Sequence, residues 1–258
     1  MNADIGFVGM AASGLSVAVA IAISAWQGLG LERSLIWASL RAAVQLLVVG
    51  SLLALLLADD TPLGFAFGWL LAMLVFAVWT ARNRAPDVPG ITGLAAVSFG
   101  AATIVSLGVL FGLGVYPLNA TTLIPLGGMV IGNSIAATVL VARRVIDEFI
   151  DKRNEIEARL ALGLSAQDSA RPYLRSAIRT ALIPQIETTK AVGIVFLPGA
   201  MVGLILAGVD PIDAVRVQAA VMYMILGSVA TTTTVIALGL GRQLITRDLR
   251  VLRLSRDG

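Results

Sequence analysis

Seven stretches of mostly apolar residues, each near the length that crosses a bilayer, leave this chain little choice of fold. A membrane-spanning helix needs about 20 such residues. Runs at 5–26, 35–58, 63–81, 91–115, 121–142, 187–209 and 216–240 meet that requirement. With 14% charged residues, 57% hydrophobic residues and a mean hydropathy of +0.89, the chain cannot cover its surface with polar groups. Lipid must therefore act as its solvent. The expectation is an all-α, polytopic membrane protein with about seven transmembrane helices, folded as one transmembrane domain over 1–258. The N-terminal residues lack the basic flank of a secretory signal, so the first run reads as a retained helix.

Basic residues orient the spans. Sixteen of the nineteen Lys and Arg fall in segments that share one side if the N-terminus is outside. These are Arg33, Arg82 and Arg84, eight residues between 143 and 184, and Arg242, Arg247, Arg250, Arg253 and Arg256. Loops on the other side carry none. The positive-inside rule then places the N-terminus outside and the C-terminus inside. Acidic residues mark the outer side: Asp4, Asp59, Asp60, Asp210 and Asp213. They read either as a cation exit or as what remains where basic residues are excluded. Recurrent Gly64/Gly68, Gly108/Gly112, Gly128/Gly132 and Gly199/Gly203 have the spacing that lets helices approach closely in lipid. The hydroxyls of Thr231–Thr234 are expected to bond to carbonyls one turn back.

The long charged segment 143–184 carries the sequence's most specific information. Val145, Phe149, Ile156 and Leu160 keep helical spacing. Arg144/Glu148, Glu148/Lys152 and Glu155/Arg159 are opposite charges four residues apart. The fifth span is therefore expected to continue as a helix until Gly163. Ser165 with Asp168 has the pattern of a helix cap, and Pro172 would shift or kink the helix it opens. Arg171, Arg175 and Arg179 repeat every fourth residue beside Leu174, Ile178 and Leu182. That stripe suits either anionic lipid headgroups or a soluble partner.

Within it, Glu157-Ala158-Arg159-Leu160-Ala161-Leu162-Gly163-Leu164-Ser165 resembles the EAA loop of ABC-importer permeases, a short helix that fits a cleft in the cytoplasmic ATPase. Pro184 comes later than that pattern requires. A closer and nearly chain-wide resemblance lies in three other runs. They are Arg41-Ala42-Ala43-Val44-Gln45-Leu46, Pro125 to Ser134 (PLGGMVIGNS), and Ala181 to Met224. All are similar to the iron-export ABC permeases of the FetB type, to which the plant aluminium-tolerance permeases are related. The resemblance implies a multi-pass permease subunit of the cell (inner or plasma) membrane. It implies a permease homodimer and separate cytoplasmic ABC ATPase subunits that hold ATP and magnesium. It also implies coupling through Glu157, Ala158, Gly163 and Ser165, and export of iron.

Polar residues inside spans need a reason, because a central charge costs about 2.5–3.5 kcal/mol on insertion scales. Arg41 and Gln45 lie one turn apart in the second span, Asn133 in the fifth, and Glu187 and Lys190 at the start of the sixth. They read either as an inward-facing vestibule or as structural ion pairs with snorkelling ends. Pro198-Gly199 interrupts the sixth span, and Pro125 with Gly127-Gly128 loosens the fifth. Such breaks either expose backbone groups to a ligand or simply kink. Asp213 and Arg216 have the spacing of an ion pair.

Several chemistries are excluded. With no Cys and no His, the chain has no disulfide, thiolate nucleophile, imidazole base or Cys/His zinc site. Its two lysines, Lys152 and Lys190, stand outside any P-loop pattern, so ATP hydrolysis belongs to a partner and the chain is not an enzyme. No metal ligands can be assigned, and no cofactor is expected in the chain itself. The basic balance of +3 fits membrane orientation rather than nucleic acid. The rival function is a stand-alone secondary transporter or channel for a metal ion or small solute. A retinal-type receptor would need a lysine in the last span, which has none.

Overall fold

The computed structural model describes residues 7–56, 62–246 and 248–252. Every described element longer than an isolated bridge is a helix. The positions Asp4, Asp59, Asp60, Arg247, Arg253 and Arg256 lie outside the described residues. The chain forms two compact units, 1–61 and 62–258.

The first unit is a hairpin of α1 (Phe7–Gln27) and α2 (Glu32–Leu56). Its turn needs left-handed backbone at Gly28 and Gly30, with φ of 64° and 67°. There a Cβ would be strained. Ser24, almost fully buried, ties the turn together: its hydroxyl donates to Glu32 Oε1 at 2.6 Å and accepts from the Leu31 amide at 3.1 Å.

The second unit contains α3 (Leu63–Arg84), α4 (Ile91–Gly112), α5 (Ala120–Asp151), α6 (Arg153–Ala161), α7 (Ala166–Ala191), α8 (Gly199–Leu206) and α9 (Pro211–Gln243). Helix α9 packs along α4, α5 and α7, and α3 packs on α5 and α4. Five helices, α2 to α5 and α9, are long and apolar enough to cross a membrane. Together with α1 they match six of the seven expected spans.

The sixth differs. Residues 187–209 are not one helix: the first five end α7, 192–198 turn, and only Gly199–Leu206 is helical again. Pro198, which lacks an amide hydrogen, caps α8, and Gly193 takes φ 87° in the turn. The Ala191 carbonyl accepts from Val195 (3.0 Å) and Phe196 (3.4 Å), which closes the break into a compact loop.

The charged segment is helical, as its spacing predicts. Helix α5 has 32 residues. At 1.5 Å per residue that is about 48 Å, well beyond a hydrocarbon slab of about 30 Å. It does not continue to Gly163 as one helix but turns at Lys152 (φ −108°, ψ 17°), after which α6 begins. Gly163, at φ 87°, ends α6 as its spacing predicts. Beyond the slab, Phe149, Ile156, Leu160, Leu174, Leu244 and Val251 close a compact core. Ile156 and Leu160 anchor α6 to it.

The paired glycines pack differently from their spacing. A methyl group placed on Gly64, Gly68, Gly108, Gly112, Gly132, Gly199 or Gly203 would meet nothing within 4 Å, and on Gly128 only Met73 at 3.7 Å. The close approaches lie elsewhere: Gly127 against Leu70, Gly239 against Leu94, and Gly241 against Leu174.

Candidate functional site

Two groups of side chains on the second unit can carry chemistry, and one helix joins them. The first group is at the Arg-rich end, where α3, α5 and α9 finish and α7 begins. Arg143 Nη2 donates to the Arg84 carbonyl at 2.6 Å and ties the end of α3 to α5. Helix α6 lies between α5 and α7. Ile156 (0% exposed) and Leu160 (6%) face inward. Asn154, Glu155, Ala158, Ala161 and Leu162 face outward, Leu162 with 80% of its surface open.

Of the expected coupling residues, Ala158 and Gly163 are exposed. Glu157 is only half-exposed, because its carboxylate accepts from Arg153 Nε at 3.0 Å. Arg153 also donates to the Val251 carbonyl at 3.3 Å, so the pair ties α6 to the segment after α9. Ser165 caps α7: its Oγ accepts from the Asp168 amide at 3.1 Å and donates to Asp168 Oδ2 at 2.7 Å. The capping expectation therefore holds. Glu155 accepts from Lys152 Nζ (2.8 Å) and from the Tyr173 hydroxyl (3.0 Å). Those two donors hold its carboxyl below the usual carboxylate range. Arg159 Nη2 crosses to the Asp168 carbonyl at 3.3 Å.

The second group lies deeper. Ser176 Oγ donates to Glu148 Oε1 at 2.8 Å, which fixes the register of α7 running back along α5. Fifteen residues on from Ser176 is Ala191, and fifteen back from Glu148 is Asn133. Both distances are about 22 Å at helical rise, so a straight continuation of α7 past Pro184 would bring its end level with Asn133. Glu187 and Lys190 pair at 2.9 Å, with side chains 61% and 67% exposed on this unit. By the same register they sit about 9–14 Å further in than Arg143, the first charge of α5. Asn133 is also exposed, its Nδ2 bonded to the Met129 carbonyl at 2.8 Å, which leaves the amide oxygen for a ligand. Pro198 and Gly199 follow immediately at the start of α8.

Glu187, Lys190, Pro198 and Gly199 thus belong to one apolar run, interrupted between Ala191 and Gly199. Arg41 and Gln45 lie on α2 of the other unit, both exposed there. Elsewhere, Asp213 pairs with Arg216 at 2.8 Å, and Thr231 and Thr233 bond back to Gly227 and Val229 as expected, whereas the buried Thr232 hydroxyl does not. No group of three or more His, Cys, Asp or Glu residues able to hold a metal occurs among the described residues.

Sequence reasoning missed the bond from Arg159 to Asp168. Its only trace was Pro172, which denies the Asp168 carbonyl a partner four residues on.

Residues 7–245 match the model of the uncharacterised protein family UPF0014. The UPF0014 membrane protein YjkA of Bacillus subtilis is 36% identical over 86% of this chain and 88% of its own length. The probable iron export permease protein FetB of Escherichia coli is 35% identical over 86% of this chain and 85% of its own. The protein ALUMINUM SENSITIVE 3 of Arabidopsis thaliana is 31% identical over 88% and 83%. No solved structure matches the chain. The chain belongs to the UPF0014 family and is a multi-pass membrane protein.

Proposed function

We propose that this UPF0014 member is the transmembrane permease subunit of an ABC exporter that moves iron out of the cell. Two copies would work with two separate ATPase subunits, which hold ATP and magnesium. In the cell membrane the Arg-rich end faces the cytosol, in keeping with the distribution of Lys and Arg. The name of the Escherichia coli relative supports iron as cargo.

The observation that carries the reading is the continuity of α7. This 26-residue helix begins beside α6 and ends at the mid-depth break. It is about 39 Å long. Its first turns are bonded to α6 through Arg159–Asp168 and Glu155–Tyr173, and Glu187–Lys190 lies on its last turns. A partner that grips the open face of α6 moves a rod whose far end is the interrupted span. ATP binding then biases the permease toward one state only if the partner holds α6 differently in the two states. At the far end, Asn133, the Glu187–Lys190 pair and the 192–198 turn offer oxygen and backbone groups, suited to a hard cation or its chelate.

Co-expression with a candidate P-loop ATPase and reconstitution into iron-loaded vesicles tests this. ATP-dependent iron flux that needs both subunits is expected. Flux from the permease alone, driven by an ion gradient, would replace this reading with a secondary transporter.

A further inference from the structure

A groove of about 760 Å³ runs between the start of α7 and the end of α9. Leu174, Ile178 and Leu238 form its apolar floor, and Arg171, Arg175 and Arg242 form its rim. Among the described residues none of these three guanidiniums has an ion pair or hydrogen bond. One carboxylate, Asp168, also lines the groove, with Oδ2 already accepting from Ser165. Three cations thus face one anion.

Depth identifies the occupant. Leu174 Cδ1 would lie 2.6 Å from a methyl group on Gly241, which places the groove where the apolar run of α9 gives way to Arg242. On α7 Ile178 lies one turn further in than Leu174 and Arg175, and on α9 Leu238 lies one turn further in than Arg242, so the innermost part of the groove is apolar and its outer part carries the arginines around Leu174. A soluble anion needs no apolar floor, and a protein helix needs no change from apolar to cationic along the groove. A phospholipid needs both. Basic pockets between spanning helices at this level suit anionic headgroups, and guanidinium is the group best matched to phosphate.

We infer that the α7–α9 groove binds one anionic phospholipid, its phosphate held by Arg171, Arg175 and Arg242 and its chains leaving over Leu174, Ile178 and Leu238. The inference needs the chain to span a membrane but not the cargo or the motor. Because α7 joins α6 to the mid-depth break, a lipid in this groove would stiffen the same rod and make activity sensitive to membrane charge.

The test uses the purified full chain in neutral detergent, titrated with short-chain phosphatidylglycerol, phosphatidylcholine or inorganic phosphate, with thermal unfolding and native mass spectrometry as readouts. Phosphatidylglycerol should stabilise the chain and stay bound, whereas phosphatidylcholine and phosphate should not. Replacing Arg171, Arg175 and Arg242 together by Gln should weaken phosphatidylglycerol about tenfold or more. Arg171→Gln alone, at the exposed outer rim, should weaken it severalfold and serves if the triple variant fails to fold. Arg179→Gln, on the same stripe but outside the groove, should change nothing. Equal effects of the two lipids, or unchanged binding by the Gln variants, would overturn the inference. So would full stabilisation by inorganic phosphate alone. Variants that keep the lipid but lose a bound ATPase would make the groove a protein-docking surface instead.

Discussion

Arg159 donates a hydrogen bond to the backbone carbonyl of Asp168, the carbonyl that Pro172 leaves without its helical partner. Pro172 would normally be a defect in the second turn of α7. Here the missing amide is replaced by a guanidinium from the neighbouring helix, so the defect becomes a joint between α6 and α7. A charged hydrogen bond of this kind is worth about 1.5–3 kcal/mol when well made. At 3.3 Å and on an exposed surface, about 1 kcal/mol is the better expectation.

Removing the joint and removing its cause should therefore couple. Arg159→Ala should loosen α6 and lower ATP-driven transport while leaving membrane insertion intact. Pro172→Ala restores the amide and should make Arg159→Ala less harmful. A double-mutant cycle on unfolding should give an interaction of about 0.5–1 kcal/mol. Strict additivity would mean that the contact does nothing.

The glycines that matter for folding are those in contact, not those in the familiar spacing. Gly127→Val must displace Leu70, and Gly239→Val must displace Leu94. Overpacking of this kind costs about 1–3 kcal/mol. Gly132→Ala and Gly203→Ala meet open space in the single chain and should leave its unfolding midpoint unchanged. Thermal unfolding of the four variants in one detergent checks both halves.

Glu187 and Lys190 should behave as a pair. Lys190→Met strands the Glu187 carboxylate, which costs about 2.5–3.5 kcal/mol where it stays charged within apolar lipid. The double change to Gln removes both charges and should restore expression, although not transport. Protein yield and iron flux, measured side by side, separate the two effects. Normal flux in the double variant would take the pair out of the proposed path.

Acid should release α6 before it unfolds the bundle. Lys152 and Tyr173 hold the Glu155 carboxyl below its ordinary range. A depressed pKa contributes stability that is full above the unfolded value and is lost as pH falls through the folded one. Hydrogen exchange in α6 should therefore rise as pH drops below the ordinary carboxylate range, and Glu155→Gln should abolish that dependence. Exchange that stays flat across the range would show that the contact leaves α6 no steadier.

The sequence made the local features legible and the long-range ones obscure. Hydropathy located six spans because each helix carries its own signal. The Ser165 cap, the Gly163 stop and the Asp213–Arg216 pair all lie within one turn of their partners. Charge pairing was legible only in part. Arg144–Glu148 forms at 3.0 Å, but Glu148 takes Ser176 rather than Lys152, and Glu155 takes Lys152 and Tyr173 rather than Arg159. Ser176 and Tyr173 both come from α7, 28 and 18 residues away, which spacing along α5 and α6 cannot register, and Lys152 reaches Glu155 three residues on, across the turn between α5 and α6. The interruption of the sixth span was legible at Pro198-Gly199, but its earlier start after Ala191, where Gly193 takes φ 87°, was not, because hydropathy does not report backbone conformation. Of the candidate site, the residue types were legible. The register of α7 against α5 required the Ser176–Glu148 bond, which the sequence does not signal.

The absence of cysteine makes the decisive measurement direct. A single Leu162→Cys change places a thiol on the most open part of the α6 turn. A membrane-impermeant maleimide should reach it only in opened cells or inside-out vesicles, and co-expression of the partner ATPase should shield it. Labelling in intact cells, or labelling that a bound ATPase leaves unchanged, would contradict a cytosolic α6 gripped by a motor.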